Sequence, residues 1–269
     1  MQRVLKWVVG GQANGWRWVS AVCGMVVLGA PALAEVPAKA VAGYEHYVSG
    51  VEARLVGQHR SDLGFVAGVD AAGGMSVRVR QGEVVVERLT PDGGDTLPGA
   101  VVHHWRGTAF VPGATAAEVE RLMREFDTYP RVFAPQVVSA RVMSDSGDHL
   151  QVSMRVRQQH VITVVMDTSY DVTFARLDAR DGYSLSRSTR VQEVGGEDHG
   201  FLWRQNTYWS WAEGDGGVYL QIESVSLTRA VPRGLGWAVG PFVESVPRES
   251  VEFTLQAVSA ALQTKGDGR

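Results

Sequence analysis

Residues 200–250 read GFLWRQNTYWSWAEGDGGVYLQIESVSLTRAVPRGLGWAVGPFVESVPRES, and this stretch decides the fold class. Two runs rich in aromatic and β-branched residues, Phe201–Trp211 and Val218–Arg229, flank the turn cluster Glu213-Gly214-Asp215-Gly216-Gly217. Such runs on either side of glycines pair as a hairpin. A Gly/Pro-rich stretch carrying Trp237 and Phe242 follows. Pro247 then marks a helix start, because its fixed backbone angle and missing N–H suit the first helical position. Val251, Leu255, Val258 and Leu262 recur at spacings of four, three and four, the stripe of an amphipathic helix. A helix of roughly 16 residues there is about 24 Å long.

Further strands precede this hairpin. Val161–Phe174 is the clearest, with Ile162, Val164, Met166, Tyr170, Val172 and Phe174 alternating against Thr163, Asp171 and Thr173. One face of that strand is expected buried and the other wet. Val137–Met143, Leu150–Arg157 and Tyr183–Val194 read as its neighbours, and Val101–Val111 as the first strand of the main domain. Between that first strand and the rest, Thr115 and Glu118 have the spacing of a capping box, so a helix starts there. Many antiparallel strands closed by one long amphipathic helix make an α+β pattern.

Upstream, Tyr44, Tyr47, Val48, Val51 and Leu55 predict a helix, and Val77–Leu89 reads as one or two short strands around Gly82. The turn cluster Thr90–Gly99 is taken as a boundary. The expected organisation is a leader over 1–34, an N-terminal extension over 35–99 and the main domain over 100–264.

The leader reading rests on Arg3, Lys6 and Arg17, the apolar run Trp18–Gly29, and Ala32-Leu33-Ala34 before Glu35. This is the order of a secretory signal peptide cleaved before Glu35, which implies a periplasmic or secreted protein. Loss of those three basic residues takes the formal charge from −3 to −6, so nucleic acid is not expected as a partner. The single cysteine, Cys23, lies in the leader, so the mature chain would rely on its core rather than on disulfides.

Catalytic and metal signatures are absent from the sequence. His103 and His104 are adjacent, hence on opposite faces of a strand, and the other histidines lack metal-ligand spacing. Gly234–Gly240 has the wrong spacing for a dinucleotide fingerprint, and no GxSxG elbow occurs. No cofactor and no metal is expected. Asp167, Asp171, His160 and Tyr208 are the groups with acid–base chemistry to offer, the aspartates on the polar face of their strand.

The order of strand, short helices, antiparallel strands and long helix resembles the START-like, helix-grip superfamily over roughly 100–262. HHWRGTAFVPG, SRSTRVQEV, GFLWRQNTYWSW and GGVYLQIESVSLTR resemble an exported bacterial branch of it whose function is undefined. The resemblance implies a curved sheet wrapped around the C-terminal helix, with an apolar cavity between them. It implies binding, and transfer, of a hydrophobic small molecule, a lipid or an isoprenoid, with brief membrane contact. Trp203, Tyr208, Trp209 and Tyr219 are the expected cavity aromatics, and Glu223, able to pair with an arginine of the neighbouring strand, and Arg187 the charged groups that could orient a ligand. Val231–Val246 is the expected gate loop, with Trp237 and Phe242 as its lid. Two rivals share the sequence: a cyclase/aromatase-type enzyme using the same cavity, and an interaction module with a filled core. The oligomeric state is left open.

Overall fold

Asp215 and Gly216, both at positive φ (52° and 78°), make the two-residue turn on which the sheet is built. Such a turn matches the right-handed twist of its flanking strands. The structure, a computed structural model, describes residues 36–60, 65–69, 74–91, 94–159, 163–195, 201–230 and 236–266. Its elements are α1 (Ala38–His59), α2 (Gly74–Arg80), β1 (Val85–Arg88), β2 (Asp95–Leu97), β3 (Ala100–Pro112) and α3 (Ala116–Arg124). After the short α4 (Tyr129–Val132) come β4 (Val137–Asp145), β5 (His149–Gln159), β6 (Thr163–Arg176), β7 (Asp181–Glu193), β8 (Arg204–Gly214) and β9 (Gly217–Arg229). The helix α5 (Gly236–Gly266) closes the chain.

The nine strands form one antiparallel sheet in the order β1-β3-β9-β8-β7-β6-β5-β4, with β2 also on β3. β3 pairs with β9 along its whole length, from Ala100↔Arg229 to Pro112↔Gly217. First and last long strands are thus neighbours, the arrangement of the helix-grip fold. The expected alternation of β6 holds: Met166, Tyr170, Val172 and Phe174 are buried and Thr163 and Asp171 exposed, with Val164 and Thr173 between. Ile162 lies outside the described residues. α3 carries the full capping box: Thr115 accepts from Glu118 N and Glu118 accepts from Thr115 N.

Two expectations are corrected. Val77–Arg80 is helical, not extended, with Ser76 and Val79 buried one turn apart; the run VRVR satisfies a three-residue spacing as well as a two-residue one. α5 begins at Gly236 and runs 31 residues, so residues 236–246 of the expected gate loop are helix. Pro241 and Pro247 are local breakers that cost a helix one backbone bond and a clash each, yet here they sit within it. β1 and β2 join the main sheet, and Ala34–Arg269 forms one compact unit.

β9 is buried at every position from Gly217 to Thr228. Its even residues Val218, Leu220 and Ile222 join Trp105, Trp209, Trp211 and the α5 stripe Val251, Leu255, Val258 and Leu262. Its odd residues Val225 and Leu227 join Ala40, Tyr44, Val48, Val51 and Leu55 of α1. The centre of the sheet is therefore covered by α5 on its concave face and by α1 on its convex face. Each fully buried aliphatic or aromatic side chain contributes about 1.5–3 kcal/mol to these layers.

The α5 contact is close. A Cβ at Gly107 of β3 would stand 2.5 Å from Leu255 Cδ1 and 2.6 Å from Val251 Cγ1. Only a side chain ending at hydrogen lets helix and strand approach that far. Gly107→Ala is expected to lower the unfolding free energy by about 1–3 kcal/mol, the usual cost of overpacking. Urea denaturation checks this, with Gly50→Ala, where the added Cβ meets nothing within 4 Å, as the neutral or stabilising control.

Candidate functional site

Register sorts the strand residues onto two faces. Facing α5 are the pairs Val156↔Met166, Tyr170↔Ser188, Ser186↔Thr207, Thr207↔Ser224 and Gln205↔Ser226. The apolar cluster around Trp209, Trp211, Val172 and Phe174 fills one end of this concave face. Toward the other end the inward residues turn polar, and Arg88 of β1 stands on this face with its guanidinium 4.8 Å over the Trp105 ring. Tyr170 Oη lies 3.5 Å from Gln205 Oε1, and Gln205 Nε2 lies 3.4 Å from Ser224 Oγ. His103 Nε2 is 3.2 Å from Thr228 Oγ1. Gln158 reaches the helix itself, with Nε2 3.4 Å from Ser250 Oγ.

At that end Val156, Gln158, Val164, Ser186, Ser188, Gln205 and Thr207 are only half-buried, although they point inward. The side chains of 231–244, which follow β9 and begin α5, lie outside the described residues, Trp237 and Phe242 among them. Burial pushes the Tyr170 hydroxyl up to about 12, so it stays protonated and can donate.

The convex face differs in kind. Glu223, with no exposed surface, accepts from Arg54 of α1, from Gln221 Nε2 at 3.2 Å, and shares a 2.9 Å contact with His104 Nε2. Arg106 Nη1 stands 3.8 Å away. Burial alone would push the Glu223 carboxyl up, but the His104 hydrogen bond and the Arg54 charge outweigh it and hold the group below the usual carboxylate range. Tyr47 Oη meets the other nitrogen, His104 Nδ1, at 3.1 Å. Glu52 of α1 accepts two bonds from Arg187, at 2.8 and 2.6 Å, and one from Tyr208 Oη at 3.1 Å. His59, stacked between Phe65 and Tyr183, is 2.8 Å from Ser210 Oγ, and burial lowers it to about 4, so it is neutral. A cleft of about 500 Å³ opens beside this network between Tyr47, Val51, Arg54, Leu89, His104 and Arg106. A second, of about 320 Å³, lies by Phe65, Ser76, Arg80, Asp215 and Tyr219.

Of the eight residues singled out from sequence, the structure places Trp209 on the concave face. Trp203 and Tyr208 pack with α1 on the convex side, and Tyr219 packs with Phe65, Val66 and Val79 there. Trp203 falls off the alternation of Trp209 and Trp211 because β8 starts only at Arg204. Glu223 and Arg187 also face α1, and they bind Arg54 and Glu52 rather than each other. In place of an Arg–Glu pair at a cavity floor, both residues form ion pairs that tie helix to sheet. The concave polar set Tyr170, Gln205, Ser224 and Ser226 was not singled out. Its sequence signal is the serines at every second position, Ser184-Ser186-Ser188 and Ser224-Ser226. Among the described residues no cluster of His, Cys, Asp or Glu has the geometry of a metal site.

No protein-family model and no curated protein matches the chain. Solved structures do. One is a STAR-related lipid transfer protein from Xanthomonas axonopodis, at 15% identity and TM-score 0.46, covering 63% of this chain and 97% of that one. The Zhui aromatase/cyclase of Streptomyces sp. R1128 is 17% identical with TM-score 0.44, covering 60% and 94%. Human STARD10 is 8% identical with TM-score 0.43, covering 68% and 77%. The likeness is one of fold.

If Glu223 is the electrostatic tie between α1 and the sheet, removing it strands Arg54 and His104. Glu223→Ala is expected to cost about 3–5 kcal/mol, as removing one member of a buried pair does. Chemical denaturation reads the loss, and proteolysis should then cut α1 first.

Proposed function

We propose that the chain binds, and transfers, an apolar small molecule of the lipid or isoprenoid kind between the concave face and the first half of α5. One observation carries this reading. Inward-facing residues from Val156 to Thr207 are half-buried where a filled core would bury them fully. Ligand pockets have this composition, apolar walls with a few placed polar groups. The solved structures of like fold include proteins named for lipid transfer and for aromatase/cyclase activity. A cyclase-type reaction is the weaker reading, since Tyr170 is held in its protonated form and offers a donor rather than a base.

Native mass spectrometry of protein purified from its own host is expected to show a co-purifying apolar molecule. Thr207→Trp, which adds bulk among the half-buried inward residues, should abolish uptake of the neutral probe N-phenyl-1-naphthylamine while the protein stays folded. Unliganded protein from the host, together with no probe uptake by the unmodified chain, would refute the reading.

Export belongs to the same proposal. The basic, apolar, Ala-x-Ala order of residues 3–34 supports it. N-terminal sequencing of host-expressed protein should begin at Glu35; a chain starting at Met1 in the cytosolic fraction would count against export.

A further inference from the structure

The cleft of about 500 Å³ beside α1 opens onto the network that ties this helix to the sheet. Its size is that of a small-molecule pocket, roughly 300–1,000 Å³. Two arginines, two histidines and a tyrosine line it: Arg54, Arg106, His46, His104 and Tyr47.

The hydrogen bonds behind the cleft fix their own directions. Against the upward push of burial, the His104 hydrogen bond and the Arg54 charge keep the Glu223 carboxyl ionised, so its oxygens only accept. His104 Nε2, 2.9 Å away, therefore carries a proton. In a neutral imidazole the other nitrogen, Nδ1, is then a lone pair. Tyr47 Oη, 3.1 Å from Nδ1, donates to it. Burial, and then the charge of Asp95, push the Tyr47 hydroxyl up, so it keeps its proton. In this resting state Tyr47 turns its hydrogen inward and offers the cleft only lone pairs.

One proton reverses this. When His104 Nδ1 takes a proton from solvent, the imidazolium donates from both nitrogens, to Glu223 and to Tyr47 Oη. Tyr47 then turns its own hydrogen into the cleft. Imidazole is the side chain that changes charge near neutral pH. The groups around it are Tyr47, His46 and Arg54 of α1, Arg106 of its own strand and Glu223 of β9. Asp95 of β2 acts on Tyr47, and Glu87 of β1 pairs with Arg106.

Both arginines keep donors in hand. Arg54 uses one N–H on Gln58, at 3.3 Å, and one on Glu223, which leaves the rest of its guanidinium unused. Arg106 donates from Nε to Glu87 at 3.1 Å, while its Nη1, 3.8 Å from Glu223, lies beyond hydrogen-bond range of it. Glu223 and Glu87 already offset the two formal charges, so an anion enters at least cost when a new positive charge arrives with it.

We propose that this cleft is a second binding site, for a small-molecule carboxylate with an apolar body, and that it takes up the anion together with one proton. The carboxylate lies between Arg54, Arg106 and the Tyr47 hydroxyl, and the body lies against Val51 and Leu89, the apolar part of the lining. The proton goes from solvent to His104 Nδ1. A carboxylate suits the site because its two oxygens match the fork of a guanidinium. Glu223 touches no ligand; it is a positioning residue that holds the His104 tautomer and draws both arginines to one point.

The probe is 1-naphthoate, titrated calorimetrically into the full chain in two buffers of different ionisation enthalpy. At pH 7.5 binding should take up about one proton, and affinity should fall about tenfold per pH unit above the range in which imidazole titrates. Imidazole ¹⁵N resonances read the relay itself: on adding the probe, His104 Nδ1 should move from the position of an unprotonated nitrogen to that of an imidazolium. Nuclear Overhauser contacts should join the naphthalene ring to the methyl groups of Val51 and Leu89. Tyr47→Phe, checked for folding by thermal melting, should bind about tenfold more weakly, as loss of a hydrogen bond to a charged group does, and without the proton uptake. Failure of the probe to bind overturns the proposal. So does binding that leaves Nδ1 unprotonated, or ring contacts to Met154, Val156 and Val164 in place of Val51 and Leu89. A folded Tyr47→Phe variant that binds as tightly and still takes up the proton also overturns it. The apolar-ligand reading of the concave face stands or falls separately.

Discussion

β9 has no surface of its own. Each residue from Gly217 to Thr228 is buried, so this strand must be covered on two faces at once. A strand in a one-layer grip would show one wet face. Here the second cover is α1, laid on the convex side, and that constraint organises the rest of the molecule. The apolar stripe of α1 covers Val102, Val225 and Leu227. Where the sheet presents a carboxylate instead, at Glu223, α1 answers with Arg54. A buried carboxylate is tolerable only with partners, and Glu223 has them from helix, sheet and its own strand. The N-terminal stretch is thus a structural half of the domain's centre.

The concave face is less charged than the convex one. The ion pairs of Arg54, Arg106, Arg155 and Arg187 lie on the convex side, and on the α5 side Arg88 stacks on Trp105. Its closed end is packed by aromatics and by the α5 stripe. Gly107 allows α5 to come down onto β3 there. Its other end is lined with half-buried serines, threonine and glutamine, groups that hydrogen-bond but carry no charge. Packing against the α5 stripe and the half-buried polar rows are therefore two ends of one surface.

Much of this was legible in the chain. Alternation in β6, the capping box at Thr115 and the Asp215-Gly216 turn are local signals, and local signals survive into the fold. Which face of β9 meets which helix was not legible. Its two parities are Tyr219-Gln221-Glu223-Val225 and Val218-Leu220-Ile222-Ser224, and both mix apolar with polar residues. Nothing local says that Glu223 has an arginine waiting 169 positions upstream. Aromatic content therefore drew attention to Trp203, Tyr208 and Tyr219, which serve the convex layer. The plain serines of the concave face passed unnoticed. The start of α5 was misplaced for a related reason: Gly240-Pro241 and Pro247 signal a break locally, and the helix continues through them.

The central proposal is a location: that an apolar ligand binds against the concave face beneath α5, and not in the 500 Å³ cleft beside α1. Intermolecular nuclear Overhauser effects between unlabelled hexadecan-1-ol and methyl-labelled protein test it directly. The account predicts contacts from the ligand chain to the methyl groups of Met154, Val156 and Val164. Contacts to Val51 and Leu89 instead, with the concave methyls silent, would contradict it.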